Sequence, residues 1–256
     1  MMRCCFITLG CRVNQYESDA MAELLTQAGF EITENPVEAD VCIVNTCTVT
    51  NIADRKSRQM LSKAHKLNPN AKLIAAGCFA QRSPEAAAKL EGVYAVLGSA
   101  DKNRVVELVK SIAEGRENEP KSEKCNCGEK ELCDCCGGMK KFEQPENSEC
   151  SGNAAGGAKI LVRDVMHEHE FEEMSAVHEG RTRAYLKIQD GCNMFCTYCA
   201  IPYARGGLRS RSIESVCAEA EKLNNEGFSE VVLTGIHLMS YGRVRIYAMP
   251  CAALTD

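Results

Sequence analysis

Six of the seventeen cysteines in this 256-residue chain fall into two sets whose spacing suits iron–sulfur chemistry. The first set closes three apolar runs: Thr8-Leu9-Gly10-Cys11, Val44-Asn45-Thr46-Cys47 and Ala75-Ala76-Gly77-Cys78. The intervals of 36 and 31 residues each match about one βα unit. In a parallel sheet all three side chains then emerge at the carboxyl ends of their strands, where open α/β sheets bind ligands. Three thiolates suit a [4Fe–4S] cluster and leave one iron for an exogenous ligand such as sulfide or a methylthio group. The plainer alternative is that these are small buried hydrophobes, since free cysteine is among the most buried residue types. Three equivalent strand-end positions favour the cluster.

The second set lies within one short segment, Gly191-Cys192-Asn193-Met194-Phe195-Cys196-Thr197-Tyr198-Cys199. Its C-x-x-x-C-x-x-C spacing is that of radical-SAM enzymes. Three neighbouring thiolates can hold three irons of a cubane, leaving the fourth for the amino and carboxylate groups of S-adenosyl-L-methionine. A structural zinc site is the alternative, but zinc takes four protein ligands in paired spacings and no partner pair follows nearby.

Positioning these cysteines requires strands that end on them. From residue 4 to about 113, short apolar runs alternate with amphipathic stretches, the pattern of a parallel sheet flanked by helices. Strands are expected at Cys4 to Leu9, Val41 to Val44, Leu73 to Ala76 and Tyr94 to Leu97. Their helices run from about Gln15 to Ala28, Ala53 to Leu67, Pro84 onward and Lys102 to Ala113. Pro84 suits a first helical turn, and Asn68-Pro69-Asn70 ends the helix before it. A second βα pattern places a strand at Ala184 to Ile188, a helix at Ile213 to Asn225 and a strand at Val231 to Thr234. The fold class is α/β, with domains expected at 1–115 and 158–256.

Between them, residues 116–157 read as a cysteine-rich acidic linker or insertion, with Pro120, Pro145 and no periodicity. Nine carboxylates stand against five lysines between residues 117 and 150. Cys125, Cys127, Cys133, Cys135, Cys136 and Cys150 could bind zinc or a third cluster, but an acidic linker is the favoured reading. His167-Glu168-His169-Glu170 lacks the spacing that puts two histidines on one helical face, so both histidines read as surface residues.

With 45% hydrophobic and 25% charged residues the composition is globular, and the formal net charge of −5 argues against unaided, nonspecific nucleic-acid binding. No apolar run approaches the roughly 20 residues of a membrane span. The start, Met1-Met2-Arg3-Cys4-Cys5, lacks the apolar core of a signal peptide. A cytoplasmic protein is expected, whose thiols stay reduced and serve as ligands rather than as disulfides.

Words around both cysteine sets carry a family resemblance. Gly10-Cys11-Arg12-Val13-Asn14, Asn45-Thr46-Cys47-Thr48-Val49-Thr50, Gly77-Cys78-Phe79-Ala80-Gln81 and Ile201-Pro202-Tyr203-Ala204-Arg205-Gly206 resemble the radical-SAM methylthiotransferases. The likeness covers about residues 4–115 and 181–242. Thr48-Val49-Thr50-Asn51, Arg55-Lys56-Ser57-Arg58-Gln59 and Arg209-Ser210-Arg211 look most like the MtaB branch.

That resemblance implies a parallel-sheet α/β methylthiotransferase domain followed by the start of a radical-SAM (β/α) partial barrel. It implies an enzyme that installs a methylthio group at C2 of threonylcarbamoyladenosine, beside the tRNA anticodon. The expected cofactors are two [4Fe–4S] clusters and S-adenosyl-L-methionine. One cluster falls to Cys192, Cys196 and Cys199, and the auxiliary one to Cys11, Cys47 and Cys78. Tyr198, Arg205, Thr234 and Gly235 are the expected cofactor contacts, and Arg205, Arg209 and Arg211 could meet phosphate or the carboxylate of S-adenosylmethionine. Expected partners are tRNA and an electron donor such as flavodoxin or ferredoxin, with no membrane. Because family members add further βα units and a small β-barrel, the chain reads as C-terminally truncated. The alternatives are a substrate change, to isopentenyladenosine in tRNA or to a ribosomal protein, and a noncatalytic truncated iron–sulfur fragment.

Overall fold

A computed structural model describes residues 1–115, 157–166, 168–176 and 182–243. Residues 116–156 of the expected linker, its six cysteines and His167 lie outside these residues.

The first part is an α/β sandwich around a six-stranded parallel sheet. In chain order its elements are β1 (Arg3–Thr8), α1 (Arg12–Gln27), β2 (Glu31–Ile32), β3 (Val41–Thr46) and α2 (Asn51–Leu67). They continue with β4 (Lys72–Gly77), α3 (Cys78–Arg82), α4 (Pro84–Ala88), β5 (Val93–Leu97), α5 (Val105–Ala113) and β6 (Lys159–Leu161). The spatial order is β2-β1-β3-β4-β5-β6.

Strands buried on both faces explain the apolar runs, because successive side chains point to opposite sides. Cys4, Ile43, Ile74 and Leu97 pack on one face with Tyr16, Met21 and Leu25 of α1 and with Val105 and Val109 of α5. Their neighbours Cys5, Val44, Ala75 and Val96 pack on the other with Leu61 and Ala64 of α2 and Phe79 of α3.

Four differences from the sequence reading have local causes. Helix α1 begins at Arg12 rather than Gln15, because extended Cys11 is its N-cap. Helix α3 starts directly at Cys78, before Pro84 opens α4. Lys102–Arg104 is a 3-10 turn leading into α5 rather than part of it. The two-residue β2 carries too little pattern to be legible. The strand at Lys159–Leu161 pairs with β5 as the sixth strand of the first sheet.

The second part contains β7 (Ala184–Lys187), β8 (Gln189–Asp190), α6 (Ile201–Arg205), β9 (Arg209–Ser210), α7 (Ile213–Asn225) and β10 (Val231–Thr234). Strands β7 and β10 pair in parallel, as one βα repeat requires, and β8 pairs antiparallel with β9. Ser212 caps α7 by accepting from the Ser215 amide.

The two parts share an interface. Helix α1 packs on β7 and α3 packs on α6, Arg12 lies over the Tyr185 ring at 5.5 Å, and Ser99 Oγ donates to the Ala204 carbonyl at 2.6 Å. Among the described residues no helix is long and apolar enough to cross a membrane.

Candidate iron–sulfur site

Strands β1, β3 and β4 are adjacent and parallel, and each runs directly into a cysteine of the first set. Cys11 caps α1 after the Leu9–Gly10 link from β1, Cys47 follows the last residue of β3, and Cys78 opens α3 at the end of β4. Cys11 is exposed, whereas Cys47 and Cys78 are 7% and 2% exposed.

Local bonds hold this edge. Asn14 Nδ2 donates to the carbonyls of Leu9 at 2.8 Å and Thr46 at 2.9 Å, stitching the Cys11 turn to the residue before Cys47. Asn45 Nδ2 returns a bond to the Asn14 carbonyl at 2.9 Å. Ser57 Oγ of α2 accepts from the Cys47 amide at 3.1 Å and donates to its carbonyl at 2.8 Å. Gly10 has φ +102°, and a Cβ there would stand 2.9 Å from Cys47 Sγ. Only glycine lets the Cys11 turn lie this close to the second thiol.

Burial pushes the Cys78 thiol up, while the charges of Arg205 and Lys102 pull it back down. Among the described residues no three His, Cys, Asp or Glu side chains are gathered as they would be around one metal ion. A cubane makes a different demand, because each thiolate meets its own iron and the sulfurs stand apart.

The second set sits on a loop. Cys196 is exposed and Cys192 and Cys199 are partly so. The Cys192 amide donates to the Gly206 carbonyl at 3.1 Å and the Cys199 amide to the Cys196 carbonyl at 2.9 Å. Gly191 has φ +69°, and a Cβ on it would be 1.8 Å from the Gly207 carbonyl oxygen. Phe195 holds φ +45°, a conformation rare for a bulky residue, and its ring meets Tyr203 edge-on at 6.3 Å.

Tyr198 is 90% exposed, on the same loop. Thr234 is buried at the end of β10, and Gly235 lies against Gln189. Gln189 connects that strand end to the loop. Its Nε2 donates to the carbonyls of Asp190 and Gly191 at 2.7 Å each, and its Oε1 accepts from the His237 amide at 2.6 Å. Gln189 therefore brings the Thr234–Gly235 turn and the Cys192 loop together. His169 is exposed.

Arg205 is wholly buried. Its guanidinium reaches Glu17 and Asp190 at 2.9 Å and Asn14 Oδ1 at 2.6 Å. Glu17 also meets Lys187 at 2.7 Å and Lys102 at 3.3 Å, and Asp190 meets Lys187 at 2.6 Å. These cations hold both carboxyls well below the usual carboxylate range despite burial. Arg209 is buried too, donating to the Arg205 carbonyl at 2.6 Å, and Arg211 pairs with Glu173 at 2.9 Å. The sequence reading overlooks Glu17, Lys102, Lys187 and Asp190. The available signal was Glu17 on the stripe of α1 that also carries Val13, Ala20 and Met21.

Comparisons with known proteins fit this two-part layout. The family model described as uncharacterized protein family UPF0004 matches residues 3–98, and that of the radical SAM superfamily matches residues 186–251. The threonylcarbamoyladenosine tRNA methylthiotransferase MtaB of Bacillus subtilis is 38% identical over 93% of this chain and 44% of its own length. Its namesake in Aquifex aeolicus is 35% identical over 94% of this chain and 49% of its own. The ribosomal protein uS12 methylthiotransferase RimO of Chloroflexus aurantiacus is 32% identical over 93% and 47%. Among solved structures, the radical S-adenosylmethionine methyltransferase TsrM of Kitasatospora setae matches 92% of this chain and 48% of its own. Its TM-score is 0.55 at 15% identity, a likeness of fold alone. The chain spans about half the length of the curated relatives it matches. By its two matched domains and these relatives, the chain is similar to the MtaB-like radical-SAM methylthiotransferases.

Proposed function

We propose that this chain is the part of a tRNA-modifying enzyme that holds two [4Fe–4S] clusters and S-adenosyl-L-methionine, and that the enzyme adds a methylthio group to threonylcarbamoyladenosine in tRNA. Cys192, Cys196 and Cys199 hold the cluster that binds S-adenosylmethionine; Cys11, Cys47 and Cys78 hold the auxiliary cluster. When bound, the first supplies the radical that an unactivated C–H bond requires, and the second supplies sulfur through its open iron. The observation that carries this reading is the all-thiol donor set of each triad, one on adjacent strand ends and one on a single loop, joined through Asn14, Arg205 and Asp190.

The protein's own residues have definite tasks in this reading. Gln189 fixes the Thr234–Gly235 turn beside the Cys192 loop, where that turn receives the methionine end of S-adenosylmethionine. Tyr198 stands exposed on the loop as a wall for the cofactor. Helix α2, which follows Cys47, presents Arg55, Lys56, Arg58, Lys63 and Lys66 to solvent, a basic face suited to RNA phosphates. An electron donor such as flavodoxin or ferredoxin and a cytoplasmic setting belong to the same proposal, as do domains at 1–115 and 158–256 separated by a linker, with Lys159–Leu161 completing the sheet of the first.

The likeness to uS12 methylthiotransferases at 32% identity supports a second reading, in which the same chemistry acts on a ribosomal protein. Mass spectrometry of a deletion strain separates the two. Loss of methylthio-threonylcarbamoyladenosine from tRNA nucleosides is the expected result. Unchanged nucleosides with an unmodified uS12 would favour the second reading. Cofactor content is tested by anaerobic reconstitution: about eight irons are expected, falling to about four in Cys192→Ala/Cys196→Ala/Cys199→Ala.

A further inference from the structure

Six charged side chains form one buried group between the two parts of the molecule. Two are carboxylates, Glu17 and Asp190; four are cations, Lys102, Lys187, Arg205 and Arg209. The nearby acids outside the group are engaged elsewhere, Asp101 with Arg163 at 2.6 Å and Glu219 with Arg211 at 3.6 Å. The group therefore buries more positive than negative charge, and an uncompensated buried charge is strongly destabilising.

The excess faces the first cysteine set at two points. Arg205 Nη2 donates to Asn14 Oδ1, the same oxygen that stands 3.9 Å from Cys11 Sγ. Helix α6, which ends in Arg205, packs on α3, which begins at Cys78, and Lys102 reaches Glu17, the partner of Arg205, at 3.3 Å. A thiolate-ligated iron–sulfur cluster is anionic and is the kind of group this excess could balance.

We propose that Arg205 and Lys102 are positioning residues for the auxiliary cluster: their positive charge compensates the thiolate-bound cluster, and Arg205 fixes the Cys11 turn through Asn14. The inference rests on the assignment of Cys11, Cys47 and Cys78 as cluster ligands. It predicts more than a structural role, because cluster potentials respond to nearby charge. Reduction adds negative charge, so removing a neighbouring cation makes the reduced form less stable and drives the potential more negative.

The test uses the full chain carrying Cys192→Ala/Cys196→Ala/Cys199→Ala, loaded anaerobically with iron and sulfide and titrated with dithionite under EPR. Lys102→Met and Arg205→Met should each hold the parent's iron and titrate at a more negative potential. Arg205→Lys, which keeps the charge, should recover most of that shift. Potentials that stay at the parent's value in Lys102→Met and Arg205→Met overturn the proposal while leaving the cluster assignment intact. A parent that takes up no iron overturns both. If circular dichroism shows Arg205→Met unfolded, Lys102→Met decides, since Glu17 there keeps Arg205 and Lys187.

Discussion

The two cysteine triads reach the same donor chemistry by opposite routes. Cys11, Cys47 and Cys78 are spread over 68 residues and share one sheet edge only because β1, β3 and β4 are neighbours in a parallel sheet. Cys192, Cys196 and Cys199 fall within one loop and need little more than its own turns. The distributed triad is thus a property of the fold, with two of its thiols buried in the core; the local triad is a property of a segment, with its thiols toward solvent. Damage to packing should harm the first and spare the second.

The sharpest way to break this contrast is Glu17→Gln. The substitution leaves Lys102, Lys187 and Arg205 facing a neutral amide, and losing one partner of a buried ion group costs about 3–5 kcal/mol. Denaturant unfolding should show that loss. Glu17 is held ionised below its ordinary range, so its contribution is complete above the unfolded value near about 4.3 and is lost as the pH falls through the folded one. The acid limb of the stability profile should therefore be flatter in Glu17→Gln.

Glycine substitutions come next. Gly191→Ala drives a methyl into the Gly207 carbonyl and should cost about 3 kcal/mol, because two backbones must separate. Gly10→Ala meets Cys47 Cβ at 2.8 Å and Sγ at 2.9 Å, of which only the sulfur can turn aside, and at φ +102° it should cost about 1–3 kcal/mol. The sharper readout is iron: Gly10→Ala should lose the auxiliary cluster alone, and Gly191→Ala the other.

Much of this was legible in the sequence because it rests on local pattern. Strand ends at Cys11, Cys47 and Cys78 follow from apolar runs, and the loop triad from spacing. What was hidden required tertiary structure. Arg205, expected from its motif to meet S-adenosylmethionine or phosphate, is fully buried on Glu17, 188 residues away in sequence. Helical spacing places Glu17 on the apolar stripe of α1, but nothing local names its partners. The pairing of Lys159–Leu161 with β5 is likewise a long-range event that a three-residue strand cannot announce.

Thiol substitutions should have the smallest effects and grade with burial. Cys78→Ser puts a hydroxyl into a site that is 2% exposed and should cost about 1–2 kcal/mol in the cluster-free protein. Cys196→Ser, on the surface, should stay within about 0.5 kcal/mol. Of the six triad thiols, iodoacetamide labelling followed by peptide mapping should modify Cys196 and Cys11 early and Cys78 last, since its thiol is both shielded and pushed up by burial.

The span of the buried ion group also sets a timetable for synthesis. Glu17 leaves the ribosome 170 residues ahead of Lys187 and 188 ahead of Arg205. At bacterial or eukaryotic elongation rates that is a wait of roughly 10–40 s. Through that interval the nascent sheet can have only Lys102 of its eventual cations, and helix α1 must keep its carboxylate hydrated instead of docking fully. The second part thus arrives as the closing piece that lets the first part bury its own helix, so the strand-end triad reaches its final setting only after the loop triad has been made.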